Sequence, residues 1–200
     1  KEAPVSLKSI VESVTLEHAG RTYQAGPGLE FFIFGKQQTA GSKSAIVYKC
    51  KTTGKMRAAI TSGKNKEDRE KNASWRSIIQ AAATACADPL PDVCASIWES
   101  PLYFAVEYTI PRPNGHFKKD GVSLSTDGKR KPWPTVKPDV LKLTRAVEDA
   151  LNDLIYKDDA AIVIEHISKH YGTRHVTKVT IRPILSCVSP FKFLLDTLAD

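Results

Sequence analysis

The sequence predicts an α/β (α+β) domain in which a mixed β-sheet is flanked by helices. Three observations predict it. Short β-prone apolar runs recur at Glu30–Phe34 (EFFIF) and Pro101–Pro111 (PLYFAVEYTIP). Leu143, Val147, Ala150 and Leu154 recur at the i, i+4, i+7, i+11 spacing of a helical core stripe. The order strands, helix, strand, long loop, helix, two strands mixes the two periods along a chain of 200 residues, the size of one domain with extensions.

Residues 1–27 read as an N-terminal extension that ends in the breaker Gly26-Pro27-Gly28, and EFFIF follows as a buried strand. GKQQTAGSK is a glycine-bearing loop. AIVYKCKTTGKMRAAIT reads as two strands around a turn at Thr52–Lys55. The charged KNKEDREKN leads into a helix over SWRSIIQAAATACA, with Ser74 as N-cap and Trp75, Ile78, Ile79 and Ala82 on one face. DPLPD at 88–92 breaks it. In PLYFAVEYTIP the residues Tyr103, Ala105, Glu107 and Thr109 share one side of a strand.

Residues 112–138 are rich in Pro, Gly and Lys without apolar periodicity, which marks a long loop of the kind that carries function. A helix is expected from about Val140 to Asn152. AAIVIEHISKHYG and RHVTKVTIRPI then form two strands around a turn near Gly172, and FKFLLDTLAD a short helix in a C-terminal tail over 186–200.

The net charge of +7 is concentrated. Between Arg112 and Arg145 stand nine Lys/Arg against three Asp. Such a density suits a polyanion, although a charge run alone equally marks a solvated face. Cys50, Cys86, Cys94 and Cys187 form no CxxC pair, so the thiols are read as reduced, in a cytoplasmic protein. No apolar run reaches the roughly 18–20 residues of a membrane helix, and Lys1–Pro27 lacks the pattern of a secretory signal.

Asp139 opens the helix after the lysine-rich loop, and Asp158-Asp159 precede the next strand. Carboxylates from a helix end and a strand end suit Mg²⁺, which prefers oxygen ligands and activates water for phosphodiester hydrolysis. The same residues also serve as an N-cap and a turn, so spacing alone leaves both readings open.

KPDVLKLTRAVEDALNDLIYKDDAAIV resembles the signature of RusA-like Holliday junction resolvases. The resemblance rests on Lys137, Pro138, Asp139, Lys142, Leu143, Arg145, Asp149-Ala150-Leu151, Tyr156 and Asp158-Asp159. FGKQQTAGSK, NASWRSIIQAAA and YFAVEYTIPRP are similar to upstream parts of longer members, so the resemblance spans roughly Leu29 to Ile184. It implies a RusA-like nuclease domain over 28–185, and a homodimeric endonuclease of a family found largely in bacteria, phages and prophages. Such an enzyme cleaves four-way or other branched DNA with Mg²⁺, for which Mn²⁺ substitutes.

Carried over, Asp139 and Asp159 become metal ligands and catalytic groups, with Asp158 as an acidic helper. Arg145 takes the place of an important lysine, exchanging a point charge for a fork. Lys137 and Lys142 contact phosphate. Arg112, Lys118, Lys119, Lys129, Arg130 and Lys131 grip the junction arms, and Lys43 adds a phosphate contact upstream.

One position departs from the pattern. The family carries a third aspartate where this chain has Leu141, which cannot bind a hard cation. Glu148 shares a helical stripe with Leu141 and Arg145 but lies seven residues on, about 10 Å along the axis. Glu165 on the next strand is a second stand-in. The rival reading is therefore a branched-DNA-binding protein of the same fold with weakened or lost cleavage; an RNA-directed protein is a third.

His166 and His170 would sit about 13 Å apart along one strand, too far to share zinc. Trp133, between Pro132 and Pro134 in the basic loop, is the tryptophan best placed to stack on DNA bases.

Overall fold

A computed structural model describes residues 7–39, 43–49, 51–62 and 66–188. Its centre is a seven-stranded mixed sheet, as the sequence predicts. The strands are β1 (Leu7–Val11), β2 (Val14–His18), β3 (Arg21–Ala25), β4 (Gly28–Phe34), β7 (Leu102–Pro111), β8 (Ile162–Gly172) and β9 (Val176–Val188). β5 (Lys43–Lys49) and β6 (Met56–Ser62) form a separate two-stranded ribbon around the expected turn.

β9, 13 residues long, is the spine of the sheet. Its first half pairs antiparallel with β4 on one edge and β7 on the other; its second half pairs with β3. Among the described residues β8 pairs only with β7, in parallel. The two strands flanking Gly172 are therefore not a hairpin: β7 lies between them. A parallel pair requires a crossover, and the chain supplies it through the basic loop and α4 (Val140–Leu151).

Residues 7–25, part of the stretch read as an extension, form β1–β3. Three more differences have local causes. α1 (Lys66–Ala87) starts eight residues before Ser74, which is an interior helical residue. Its first turns are solvated and carry the i,i+4 pairs Lys66–Glu70 and Glu67–Lys71 rather than an apolar stripe. α2 (Pro91–Glu99) starts on the proline read as a breaker; proline at the first helical position gives up no hydrogen bond. The 112–138 loop holds a 3₁₀ turn (Asn114–His116) and a short helix α3 (Thr126–Arg130). The terminal helix expected in Phe191–Asp200 lies outside the described residues.

One face of the sheet is covered by α1, α2 and α4. Leu102, Phe104, Val106 and Tyr108 of β7 point into this core with Leu29, Phe31 and Ile33 of β4. Leu143, Val147, Ala150 and Leu151 of α4 meet them from the helix side. Each fully buried Leu or Val contributes roughly 1.5–3 kcal/mol, so a charge at Val147 would break the α4 seat. Leu154, the last residue of the expected stripe, lies beyond the helix end and is 38% exposed. Trp75 is core, as expected.

Candidate active site

A crossover helix runs against the direction of the strands it joins. The start of α4 therefore lies beside the far end of β8, and its last turns beside the beginning of β8. The contacts agree: Lys169, late in β8, reaches the carbonyls of Val136 and Pro138, while Glu148, late in α4, faces Glu165, early in β8. That antiparallel run decides which carboxylates meet.

They meet in an open cleft of about 470 Å³ lined by Leu141, Thr144, Arg145, Glu148, Asp159, Ile162, Val163 and Glu165. Strand alternation supplies Glu165. It pairs with the buried Phe104 and so takes the helix-covered face of the sheet. Glu148 is fixed from below, where the buried Tyr156 hydroxyl donates to its carbonyl oxygen at 3.2 Å. Asp159 is delivered by a 3₁₀ turn (Asp159–Ala161) that Asp158 caps, its carboxylate accepting from the Ala160 N–H at 2.8 Å.

Burial raises the Glu148 carboxyl to about 7, and the neighbouring charge of Glu165, a hydrogen bond with Glu165 and the charge of Asp159 add to the rise; Arg145 opposes it. Two carboxyls and a third nearby thus compete for one region of low dielectric, and a proton is what relieves them.

Of the residues expected to act, Asp159 and Arg145 line this cleft. Asp139 does not: its carboxylate caps α4, accepting from the Leu141 N–H at 3.1 Å. Asp158 is likewise engaged as a cap. Leu141 stands at the cleft wall, 64% exposed. Glu148 and Glu165, weighed from sequence only as stand-ins, are the carboxylates that converge with Asp159. The alternation of β8 carried the signal for Glu165, but its register against α4 was not readable.

The cations divide into two groups. Lys118, Lys119, Lys129, Arg130, Lys131, Lys137 and Lys142 are exposed, with Lys131 paired to Asp127 at 2.9 Å. Arg112 turns into its own loop, donating to the carbonyls of Gly128 (3.0 Å), Lys131 (3.1 Å) and Pro132 (3.5 Å) while stacking 4.3 Å above the Tyr171 ring. Gly128 permits this closure, since a Cβ there would lie 2.1 Å from the His116 carbonyl oxygen. Trp133, 58% exposed, leans on His170 with ring centroids 5.5 Å apart. Lys43 opens β5; Gly41 and Ser42 beside it lie outside the described residues. His166 contacts His18 and Tyr103, and His175 contacts Gln37, so His166, His170 and His175 have separate partners.

Among the described residues, no three His, Cys, Asp or Glu side chains stand close enough together to hold one metal ion. The chemistry of the donors nonetheless suits a hard divalent cation. Glu148, Glu165 and Asp159 offer only carboxylate oxygens, and the repulsion that now favours a proton on Glu148 would equally favour a cation. Among the described residues no helix is long and apolar enough to cross a membrane.

A mixed sheet with a parallel strand–loop–helix–strand crossover, and a carboxylate cleft where the crossover helix meets its strand, define an α+β protein with an acidic site on the helix that follows a basic loop. Residues 49–182 match the family Endodeoxyribonuclease RusA, and the chain belongs to that family. The chain is also similar to the uncharacterized protein YqaN of Bacillus subtilis (strain 168), with 47% identity over 51 residues. That segment is 26% of this chain and 36% of the relative, so it spans about a third of the relative's length.

Proposed function

We propose that this protein is a divalent-metal-dependent endodeoxyribonuclease that hydrolyses phosphodiesters in branched DNA, with the four-way junction as substrate, acting as a homodimer in the cytoplasm. The observation that carries the reading is the convergence of Glu148, Glu165 and Asp159 with Arg145 in one open cleft along the helix that the cationic loop leads into. Binding of Mg²⁺ or Mn²⁺ would draw Asp159, Glu148 and Glu165 closer together than they stand without it, with Asp158 contributing from the rim, while Asp139 caps α4 nine helical residues from Glu148. When bound, such an ion lowers the pKa of water and stabilises the leaving oxygen. Arg145 presents its guanidinium to the scissile phosphate and offsets the charge that develops on it. Lys137 and Lys142 hold the adjacent phosphate. Lys118, Lys119, Lys129, Arg130 and Lys131 track the junction arms, Arg112 holds their loop in shape, and Lys43 meets the backbone from the ribbon.

The test is cleavage of a synthetic four-way junction with Mg²⁺ or Mn²⁺, comparing wild type with Asp159→Asn. Product from the wild type and none from the variant supports the enzyme. A second reading has its own observation: Leu141 stands at the cleft wall in the place of the family aspartate, and Asp139 is occupied as a cap. Tight, salt-sensitive junction binding without product would make the protein a branched-DNA-binding module. Preference for structured RNA over junction DNA in competition would overturn both readings.

A further inference from the structure

Lys169 has no place in the reaction above, yet its position is unusual. On β8 the residues Glu165, Ile167 and Lys169 pair with Phe104, Val106 and Tyr108, three buried residues of the core face. An ammonium on that face needs partners. Among the described residues no Asp or Glu forms an ion pair with it. Its Nζ instead donates to the carbonyl oxygens of Val136 at 3.0 Å and Pro138 at 2.9 Å. Those two carbonyls belong to the last residues before Asp139, the cap of α4.

Two spans match. Lys169 is four strand residues from Glu165, and Asp139 is nine helical residues from Glu148, which is about 13 Å in each case. α4 and β8 run antiparallel, so these four positions mark the corners of one frame. Glu148 faces Glu165 at one end, and the approach to Asp139 is tied to Lys169 at the other.

We infer that Lys169 is a positioning residue, clamping the entry of α4 to β8 and thereby holding Glu148 in register with Glu165. The inference rests on the cleft being the active site, as proposed above. The charge of Lys169 is spent on two backbone carbonyls, so it adds nothing to phosphate contact. Its effect passes through the carboxylates and Arg145. A single ammonium suits the task because it bonds two carbonyls two residues apart from one point, and Pro138, lacking an N–H, cannot tie itself to the strand edge.

The experiment compares Lys169→Met, which keeps the stem and removes the donors, with Lys169→Arg, which keeps donors and charge. Three readouts are taken: junction cleavage, the salt dependence of junction binding, and hydrogen exchange at the Leu141 and Leu143 amides without DNA. In K169M the saturating cleavage rate falls at least tenfold with KM and salt slope near wild type, the two amides exchange at least tenfold faster at an unchanged melting temperature, and K169R recovers most of both. A salt slope reduced by about one in K169M, with the rate kept, would mean that Lys169 contacts phosphate itself and would overturn the inference. So would unchanged exchange and unchanged rate. If the wild type cleaves no junction, the nuclease reading falls, and the exchange result alone decides the clamp. Should K169M fail to fold, K169Q carries the same measurements.

Discussion

Glu148 on α4 faces Glu165 on β8 across the cleft, and burial together with that neighbour's charge raises the Glu148 carboxyl to about 7. Neither residue is next to the other in sequence. Only the antiparallel run of the crossover helix against its strand joins them, and the first prediction concerns what their proximity does to stability.

A glutamate in the unfolded chain ionises near its ordinary 4.5, well below the folded value for Glu148. The folded protein therefore binds this proton more tightly than the unfolded chain does. The stabilisation is fully present below pH 4.5 and is lost as pH rises through about 7. Glu148→Gln has no such proton, so in metal-free buffer its unfolding free energy gains on the wild type's between pH 4.5 and 7. Denaturant melts of both proteins across that window check it, and a constant difference contradicts it.

The wall position tests whether the cleft already has its carboxylates. Leu141 is 64% exposed, so Leu141→Asp changes stability by less than about 0.5 kcal/mol. With Glu148 and Glu165 filling the role, L141D leaves junction cleavage within about threefold of wild type, whereas E148Q or E165Q lowers Mn²⁺ affinity by about 10–100-fold. Calorimetric Mn²⁺ titration and single-turnover cleavage measure both. A large gain of cleavage in L141D would show the natural site to be impaired.

Asp139 has a structural task that must be separated from any chemical one. Its carboxylate accepts from the Leu141 N–H, and asparagine caps a helix about as well as aspartate does. Asp139→Asn therefore keeps the melting temperature, while Asp139→Ala costs about 1 kcal/mol. Loss of cleavage in D139N at unchanged stability places the carboxylate in the chemistry. Full cleavage in D139N reduces Asp139 to a cap.

What was legible in the sequence followed what is local. The α4 stripe and the alternation of β7 are periodic within one segment, and Leu143, Val147, Phe104 and Val106 are buried as those periods require. β1–β3 are hard to read because each is only five residues long: β2 alternates half-buried Val14, Leu16 and His18 with exposed Thr15 and Glu17 too briefly to stand out, and β3 takes its place in the sheet from β9, more than 150 residues away. The supposed hairpin at Gly172 failed for a similar reason, since a strand inserted from 60 residues upstream leaves no local trace. For the site, Asp159 and Arg145 were named from the family pattern. The identity of their carboxylate neighbours waited on the register of α4 against β8, which no single-segment period encodes.

The two groups of loop cations should behave differently toward salt. Lys129 and Arg130 are exposed on α3 and form no ion pair among the described residues. Alanine at either removes one phosphate contact, reducing the slope of log K against log salt by about 0.9 with little change in stability. Arg112 spends its guanidinium on three carbonyls and the Tyr171 ring. Arg112→Ala therefore destabilises the protein by about 1.5–3 kcal/mol. Lysine in its place cannot restore a fork that reaches Gly128, Lys131 and Pro132 together. Junction binding at several salt concentrations, paired with thermal melts, separates the groups. An Arg112→Lys variant with wild-type stability and a slope lowered by one would move Arg112 from the loop's scaffold to its DNA-contacting face.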